Sequence, residues 1–321
     1  MAPTRQEAIN DAYERLKDVW FTMEPIFAEH GPMAAEAMST LGRNESVAGW
    51  VEAYKANHRH LPPPSAQARI EPADEGQWRA ALGVAQRASD WLELFRRELA
   101  ERAWQETIRT WVPRLIDGCA GGLTHGLIRT AHALRALPEQ GAPTEREREE
   151  LARGLAYWAA VYQPPPGAAP STAGVLDEPG DAGASISRHT ARFAHILLAQ
   201  EAAQPVPLIQ LVHTITSATA TRNFLPLLPP EFGAHACRRL RQVATAIAAR
   251  VTRVPVPDAA PTATIGEPLF GVDELIDRAV AHGDEHVIKL TEACLREDRI
   301  APDPVYRAVA EMLQRRVPPG A

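Results

Sequence analysis

The sequence predicts an all-α protein: a single large helical domain over residues 1–321, interrupted by long loops rich in proline and glycine. Three observations predict it. The chain is rich in Ala, Leu, Glu and Arg, all strong helix formers. Its β-branched residues are sparse and never alternate over a convincing strand length. Apolar residues instead recur at helical spacing in segment after segment. With 321 residues, 45% of them hydrophobic, the chain can bury a large core. No internal repeat is visible, and the loops read as insertions in one assembly rather than as domain linkers.

Arg5 to Phe21 gives the first amphipathic helix, with Ala8, Ile9, Ala12, Leu16, Val19 and Trp20 along one side. Glu24-Pro25 ends or kinks it, because the residue before a proline is pushed out of helical geometry. Gly31-Pro32 opens a helix over Met33 to Leu41. A short helix, Ser46 to Ala56, follows with Ser46 placed to cap it. Leu61 to Gly76 is a proline-rich connection. A long helical region, Gln77 to Trp111, carries Trp78, Leu82, Trp91, Leu94, Phe95, Leu99 and Trp104, and Pro113 marks a new start. Gly118-Cys119-Ala120-Gly121-Gly122 breaks the chain before a helix from Thr124 to Leu137, and another occupies Glu145 to Val161. Pro164 to Ala184 has no helical period; a loop of that length inside a compact domain is usually a lid or a disordered segment, and it is the candidate lid. Helices resume at Ser185 to Ala202, Pro207 to Thr221 and Phe232 to Val251. A second proline-rich connection, Val254 to Gly271, precedes the last three helices.

Composition excludes several functions. Net charge is −6, and the 34 basic residues are scattered among acidic ones, which leaves no basic stripe for nucleic acid. No apolar run approaches the roughly 20 residues that cross a bilayer, so no membrane span is expected. The polar start MAPTRQEAINDAYERL has no apolar h-region and does not read as a secretion signal. The three cysteines, Cys119, Cys237 and Cys294, are isolated, so neither a disulfide framework nor a CxxC knuckle is indicated. A cytoplasmic protein is the expectation. There is no GxGxxG, GxxxxGK[ST] or GxSxG; DGCAGG comes nearest and lacks both the spacing and the preceding strand. The chain therefore carries no flavin, NAD(P), nucleotide or serine-hydrolase signature.

The stretch with the densest metal-ligand chemistry is AHGDEHVIKL, Ala281 to Leu290. Gly283 suits the residue just past a helix end and Asp284 a helix N-cap, so two helices meet there at a bend. His286 then falls in the first turn of the second helix, with Lys289 one turn later on the same face. His282 belongs to the end of the preceding helix and pairs with His286 only if the helix runs through. By spacing alone, Lys289 is a surface lysine paired with Glu285 or Glu292. The alternative is a lysine buried beside His286. Burial favours the neutral amine, which can add carbon dioxide to form a carbamate, a hard anionic metal ligand.

The other histidines are dispersed. His125 opens THGLIRTAHAL, with Thr124 as its expected N-cap. His132 follows on the same side, where a core histidine bonded to a backbone carbonyl is the ordinary role. His213 lies in LIQLVHTITSATATRNFL among Leu208, Leu211, Val212 and Ile215, where its ring nitrogens need a carbonyl or a metal. His30 sits at a helix boundary, where capping is the ordinary role. His58 and His60, in NHRHLPPP, read as solvated loop residues. His189, His195 and His235 read as ordinary members of amphipathic helices.

Five ordered pieces, EPIFAEHGPMAAEAMSTLG, THGLIRTAHAL, GLAYWAAVYQ, LVHTITSATATRNFLPLL and DEHVIKLTEACL, give the chain a further identity. Over most of its length it resembles the questin oxidase-like family, helical proteins of fungal aromatic polyketide pathways with bacterial members. The resemblance implies oxygen-dependent opening of an anthraquinone-type ring, by Baeyer–Villiger-like or dioxygenase chemistry. It implies a non-haem iron held by four histidines and a carboxylated lysine. On this sequence those are Lys289 and His286 in EHVIK, His125 in THGLI, His213 in LVHTIT and, as the fourth, His30, with His282 as its alternative. Imidazole and a carbamate oxygen both suit iron, and five protein ligands on an octahedral ion leave one position for oxygen. The missing flavin and nicotinamide motifs agree with a metal carrying the oxygen chemistry. No 2-His-1-carboxylate triad is visible.

The expectation is therefore an Fe(II)-dependent oxygenase that takes O2 and a planar aromatic or quinone-type small molecule. His30, His125, His213, His286 and Lys289 would hold the metal, with carbon dioxide bound as the lysine carbamate. Two other classes share these residues: a zinc or other metal hydrolase whose metal activates water, and a non-catalytic helical binding protein whose histidines are structural.

Overall fold

Helix formers at helical spacing give helices along most of the chain. A computed structural model describes residues 2–23, 27–167, 181–200, 204–252 and 265–320, and these make fourteen α-helices linked by short 3-10 turns. The fold is all-α. The strands among the described residues are Thr22–Met23 (β1) and Phe27–Ala28 (β2), paired antiparallel.

Helix α1 (Arg5–Arg15) starts on a capping box: the Thr4 hydroxyl accepts from Glu7 N–H while the Glu7 carboxylate accepts from Thr4 N–H. It stops well short of Phe21. Arg153 donates to the carbonyls of Leu16 and Val19, the groups a continuing helix would use, and the chain turns into β1 instead. Leu16, Val19 and Trp20 still face inward. The bend expected at Glu24-Pro25 lies outside the described residues.

Next come α2 (Gly31–Thr40) and α3 (Asn44–Asn57), the latter starting two residues ahead of Ser46. The long helical region consists of three helices: α4 (Glu75–Ala81), α5 (Ala88–Glu101) and α6 (Trp104–Leu115). The first break falls at Gly83, whose φ of +73 only glycine adopts cheaply and whose N–H bonds to Ala159 O on a neighbouring helix. Pro113 starts no new helix; it sits in the last turn of α6, just before the chain loosens into a 3-10 turn at Ile116–Gly118.

The remaining helices are α7 (His125–Ala136), α8 (Glu145–Ala160), α9 (Ala182–Leu198), α10 (Pro205–Thr221), α11 (Pro230–Thr252), α12 (Val272–His282), α13 (Glu285–Ile300) and α14 (Val305–Arg316). Residues 168–180 of the candidate lid and residues 254–264 of the second proline-rich connection lie outside the described residues. One large apolar cluster centres on Trp91, Phe95, Trp111 and Trp158, the other on Phe193, Leu211, Ile215, Leu290 and Tyr306. Between them four helices close a ring: α2 packs on α7, α7 on α10, α10 on α13 and α13 back on α2. The site lies inside that ring.

Candidate metal centre

Each helix of the ring contributes one histidine. His30 is the N-cap residue of α2, His125 the first residue of α7, His213 lies in the middle of α10, and His286 in the first turn of α13. One ring nitrogen from each lies within 4.8 Å of the others, and all four residues are buried. Nε2 of His125 is central: it lies 2.8 Å from Nε2 of His30 and 2.9 Å from Nε2 of His213.

The outer nitrogens decide what those short distances mean. Nδ1 of His125 donates to Gly122 O at 2.5 Å, and Nδ1 of His213 donates to Ile209 O at 2.8 Å. A carbonyl only accepts, so both Nδ1 atoms carry hydrogen and, in neutral rings, both Nε2 atoms are bare lone pairs. Burial keeps the rings of His30, His125 and His213 neutral, pushing their pKa values well below the usual imidazole value, and the Lys289 charge and the neighbouring imidazoles push the same way. Two lone pairs 2.9 Å apart in a buried site repel; a cation between them removes the repulsion. A metal–imidazole bond of about 2.1 Å puts nitrogens at right angles around one ion about 3 Å apart. The donor set fits a metal ion.

Local sequence fixes these positions. Ahead of His125, Gly122, Leu123 and Thr124 take φ of +56, +54 and +70, a left-handed turn that swings the His125 ring back onto Gly122 O. Left-handed geometry costs a non-glycine residue about 1–2 kcal/mol, so the turn is held by its surroundings. Thr124 occupies the N-cap position without capping; its hydroxyl is buried with no partner. The glycines of DGCAGGLTHG are contact residues. A Cβ at Gly121 would lie 1.7 Å from Val161 O, one at Gly122 2.5 Å from Tyr157 Oη, and one at Gly126 2.5 Å from Trp158 Cα. They let the end of α8 press directly on the left-handed turn that carries His125. At α13, Gly283 adopts φ +80 and Asp284 accepts from the N–H groups of His286 and Val287, the bend and cap expected there.

Lys289 is 3% exposed, which overturns the surface pair that its spacing suggests. Glu292 is taken by Arg135 at 2.6 Å and Arg296 at 3.1 Å, and Glu285 faces His30 and His286. Among the described residues, no carboxylate lies within 4.0 Å of the lysine Nζ. Burial lowers its pKa to about 8, against the raising effect of Glu285, Asp284 and Glu29. It lies one turn along α13 from His286, and its charge depresses the pKa of His30, His125 and His213.

The other histidines lie elsewhere. Nε2 of His282 bonds to Val317 O at 3.0 Å, so it does not stand in for His30. His132 meets a carboxylate rather than a backbone carbonyl, with Nδ1 2.7 Å from Glu36. His58 and His60 are not solvated loop residues: both are half-buried, His58 bonded to Tyr54 O and stacked on the Tyr54 ring, His60 bridged to Met23. His189 bonds to Thr214 O, His195 lies 3.7 Å from Asp303 and His235 2.7 Å from Asp117.

Sequence reasoning missed the groups that support the cluster. Tyr54 Oη accepts from His30 N–H at 2.8 Å. Glu29, the residue before His30, is buried against Arg129 at 3.2 Å and accepts from Gly31 N–H at 2.7 Å; burial raises its pKa to about 7. Arg129 also grips Glu150, at 2.8 and 3.0 Å. Glu36 takes Arg135 at 2.5 Å and Arg5 at 2.7 Å, so α2, α7 and α13 are tied together below the histidines through Glu36, Arg135 and Glu292. No periodicity marks these pairs, because their partners are distant in sequence.

A family model described as questin oxidase-like matches residues 27–206, more than half of the chain. The chain belongs to the questin oxidase-like family. The match spans His30 and His125, while His213, His286 and Lys289 lie beyond its end. No curated protein matches the sequence. Among the described residues, no helix is long and apolar enough to cross a membrane.

Proposed function

We propose that this protein is a metal-dependent oxygenase, with iron held by His30, His125, His213, His286 and Lys289 as its carbamate, acting with O2 on an aromatic or quinone-type small molecule. The observation that carries the proposal is the pair of bare Nε2 atoms on His125 and His213, 2.9 Å apart and fixed from behind by backbone carbonyls. Family membership supports oxidoreductase chemistry on an aromatic polyketide-like substrate. When bound, iron supplies the activation of O2 that no side chain can supply.

The chain's own residues hold and shield that centre. Four imidazoles line the centre, and burial keeps those of His30, His125 and His213 from being protonated, so their lone pairs stay available. Lys289, with its pKa near 8, exposes a neutral amine to carbon dioxide far more often than a solvated lysine does. Amine adds to carbon dioxide, one proton leaves, and the lysine becomes an anion that offsets the ion's charge. Burial of all five residues excludes bulk water and strengthens electrostatic interactions within the site. The five residues come from the α2 boundary, α7, α10 and α13, so one folded unit over the whole chain is part of the proposal.

Elemental analysis of tag-free protein purified without chelator tests it, together with oxygen uptake on an anthraquinone panel. Stoichiometric iron and substrate-dependent oxygen uptake are expected. Turnover that persists under anaerobic conditions with zinc bound would make the site hydrolytic. Absence of any metal after anaerobic reconstitution with iron(II) and bicarbonate would overturn the proposal.

A further inference from the structure

Resting on the metal site proposed above, we infer that Glu285 is its positioning carboxylate, accepting the Nδ1–H of both His30 and His286 and so aiming their other nitrogen at the ion. Four histidines need four outer partners. His125 and His213 have theirs in the carbonyls of Gly122 and Ile209. Nδ1 of His30 and Nδ1 of His286 are buried with none. An orphaned buried donor costs about 1–3 kcal/mol, so two side by side call for a shared acceptor.

Glu285 Oε1 lies 4.0 Å from His30 Nδ1 and 3.5 Å from His286 Nδ1. Its side chain is 13% exposed and, among the described residues, receives no hydrogen bond. A charge-assisted N–H···O contact spans about 2.7–2.9 Å, so small side-chain rotations close both gaps. The nearest competing groups already hold other hydrogen bonds. Asp284 Oδ1 is 3.7 Å from His286 Nδ1 but already accepts two backbone N–H groups as the cap of α13. The Tyr54 hydroxyl accepts from His30 N–H and points its own hydrogen at Met23 Sδ. Lys289, one turn along from Glu285, can only donate while it is an ammonium, and as the carbamate it is committed to the ion.

The geometry also makes Glu285 a poor direct ligand. It faces Nδ1 of His30, whereas the lone pairs converge at Nε2, where His30 meets His125. A carboxylate behind a metal-bound imidazole fixes the tautomer and raises ligand basicity, and loss of such a partner typically costs 10–100-fold in metal affinity. Here one carboxylate would serve two rings from two helices, α13 and the start of α2, so it also holds those helices in register across the ion.

The test is competition for cobalt(II) between a chelator and the full chain, for wild type, Glu285→Ala and Glu285→Gln, with circular dichroism as the control for folding. Affinity is expected to fall about 10–100-fold in Glu285→Ala and by a smaller factor in Glu285→Gln, which keeps one acceptor but no charge. The metal's coordination number by X-ray absorption is expected to match wild type. Where the alanine variant does not fold, the isosteric glutamine variant decides. Equal cobalt affinity in wild type and variants overturns the inference and leaves the metal site standing. An oxygen lost from the coordination shell of Glu285→Gln also overturns it, because Glu285 would then be a ligand. A wild type that binds no cobalt overturns the metal site and this inference together.

Discussion

Nε2 of His125 and Nε2 of His213 face each other at 2.9 Å across the centre of the helical ring, each on a ring whose Nδ1 is bound to a backbone carbonyl. A bound cation stabilises the native state alone, by about 2.7 kcal/mol at a hundredfold excess over Kd. Chelator-stripped protein should therefore melt lower than untreated protein, and anaerobic iron(II) should restore the Tm. His213→Ala should remove that response. A Tm indifferent to chelator and to metal would sink the metal reading.

Lys289 gives a second prediction. A methionine of similar length can fill its buried site, so Lys289→Met should fold but bind metal weakly and turn over nothing. Lys289→Ala leaves a space beside His286, and a short carboxylic acid such as propionate can place a carboxylate there. Propionate should partly restore metal binding to Lys289→Ala if the wild-type ligand is a carbamate. Rescue by propylamine instead of propionate would mean that the lysine acts as an amine.

The glycines before His125 can be tested by stability. Gly121→Ala puts a Cβ 1.7 Å from the Val161 carbonyl oxygen, a backbone atom that cannot swing away. The clash should cost about 1–3 kcal/mol and displace the His125 turn, so Tm and metal affinity should fall together. Gly49 in α3 meets nothing within 4 Å, and Gly49→Ala should leave both intact or raise the Tm slightly. A Gly121→Ala protein with wild-type Tm would show that α8 does not bear on this turn.

Helical periodicity made most of the fold legible, because an amphipathic helix writes its buried face into its own sequence. The bend at Gly283-Asp284 was legible for the same reason: a left-handed glycine and a capping aspartate act on their immediate neighbours. The gathering of His30, His125, His213 and His286 was not legible from spacing. They are far apart in the chain, and only the family resemblance placed them together. Lys289 shows the limit most clearly. Its glutamates at helical spacing imitate a surface ion pair, yet Glu292 belongs to Arg135, a residue on another helix. The end of α1 escaped periodicity too, because Arg153 on α8 takes the carbonyls that would have extended it. Whatever depends on a partner distant in sequence is invisible to a local pattern.

The ion network beneath the histidines gives a pH prediction. Glu36 is wholly buried; burial would raise its pKa, but the Arg135 guanidinium and the bond to His132 hold its carboxyl well below the usual glutamate value. A depressed native pKa means that the unfolded chain binds the proton more readily. The stability Glu36 provides is then complete above its unfolded pKa of about 4.3 and drains away as pH falls through and below that value. Glu36→Gln should cost about 1–3 kcal/mol at neutral pH, because it leaves Arg135 buried with one carboxylate, Glu292, instead of two. The variant should also lose less of its remaining stability than wild type between pH 5 and acid conditions, since one proton fewer is taken up on unfolding. Denaturant melts of both proteins across that range measure the difference. Parallel pH curves would mean that Glu36 does not carry the acid sensitivity, and that the tie between α2, α7 and α13 is made by packing instead.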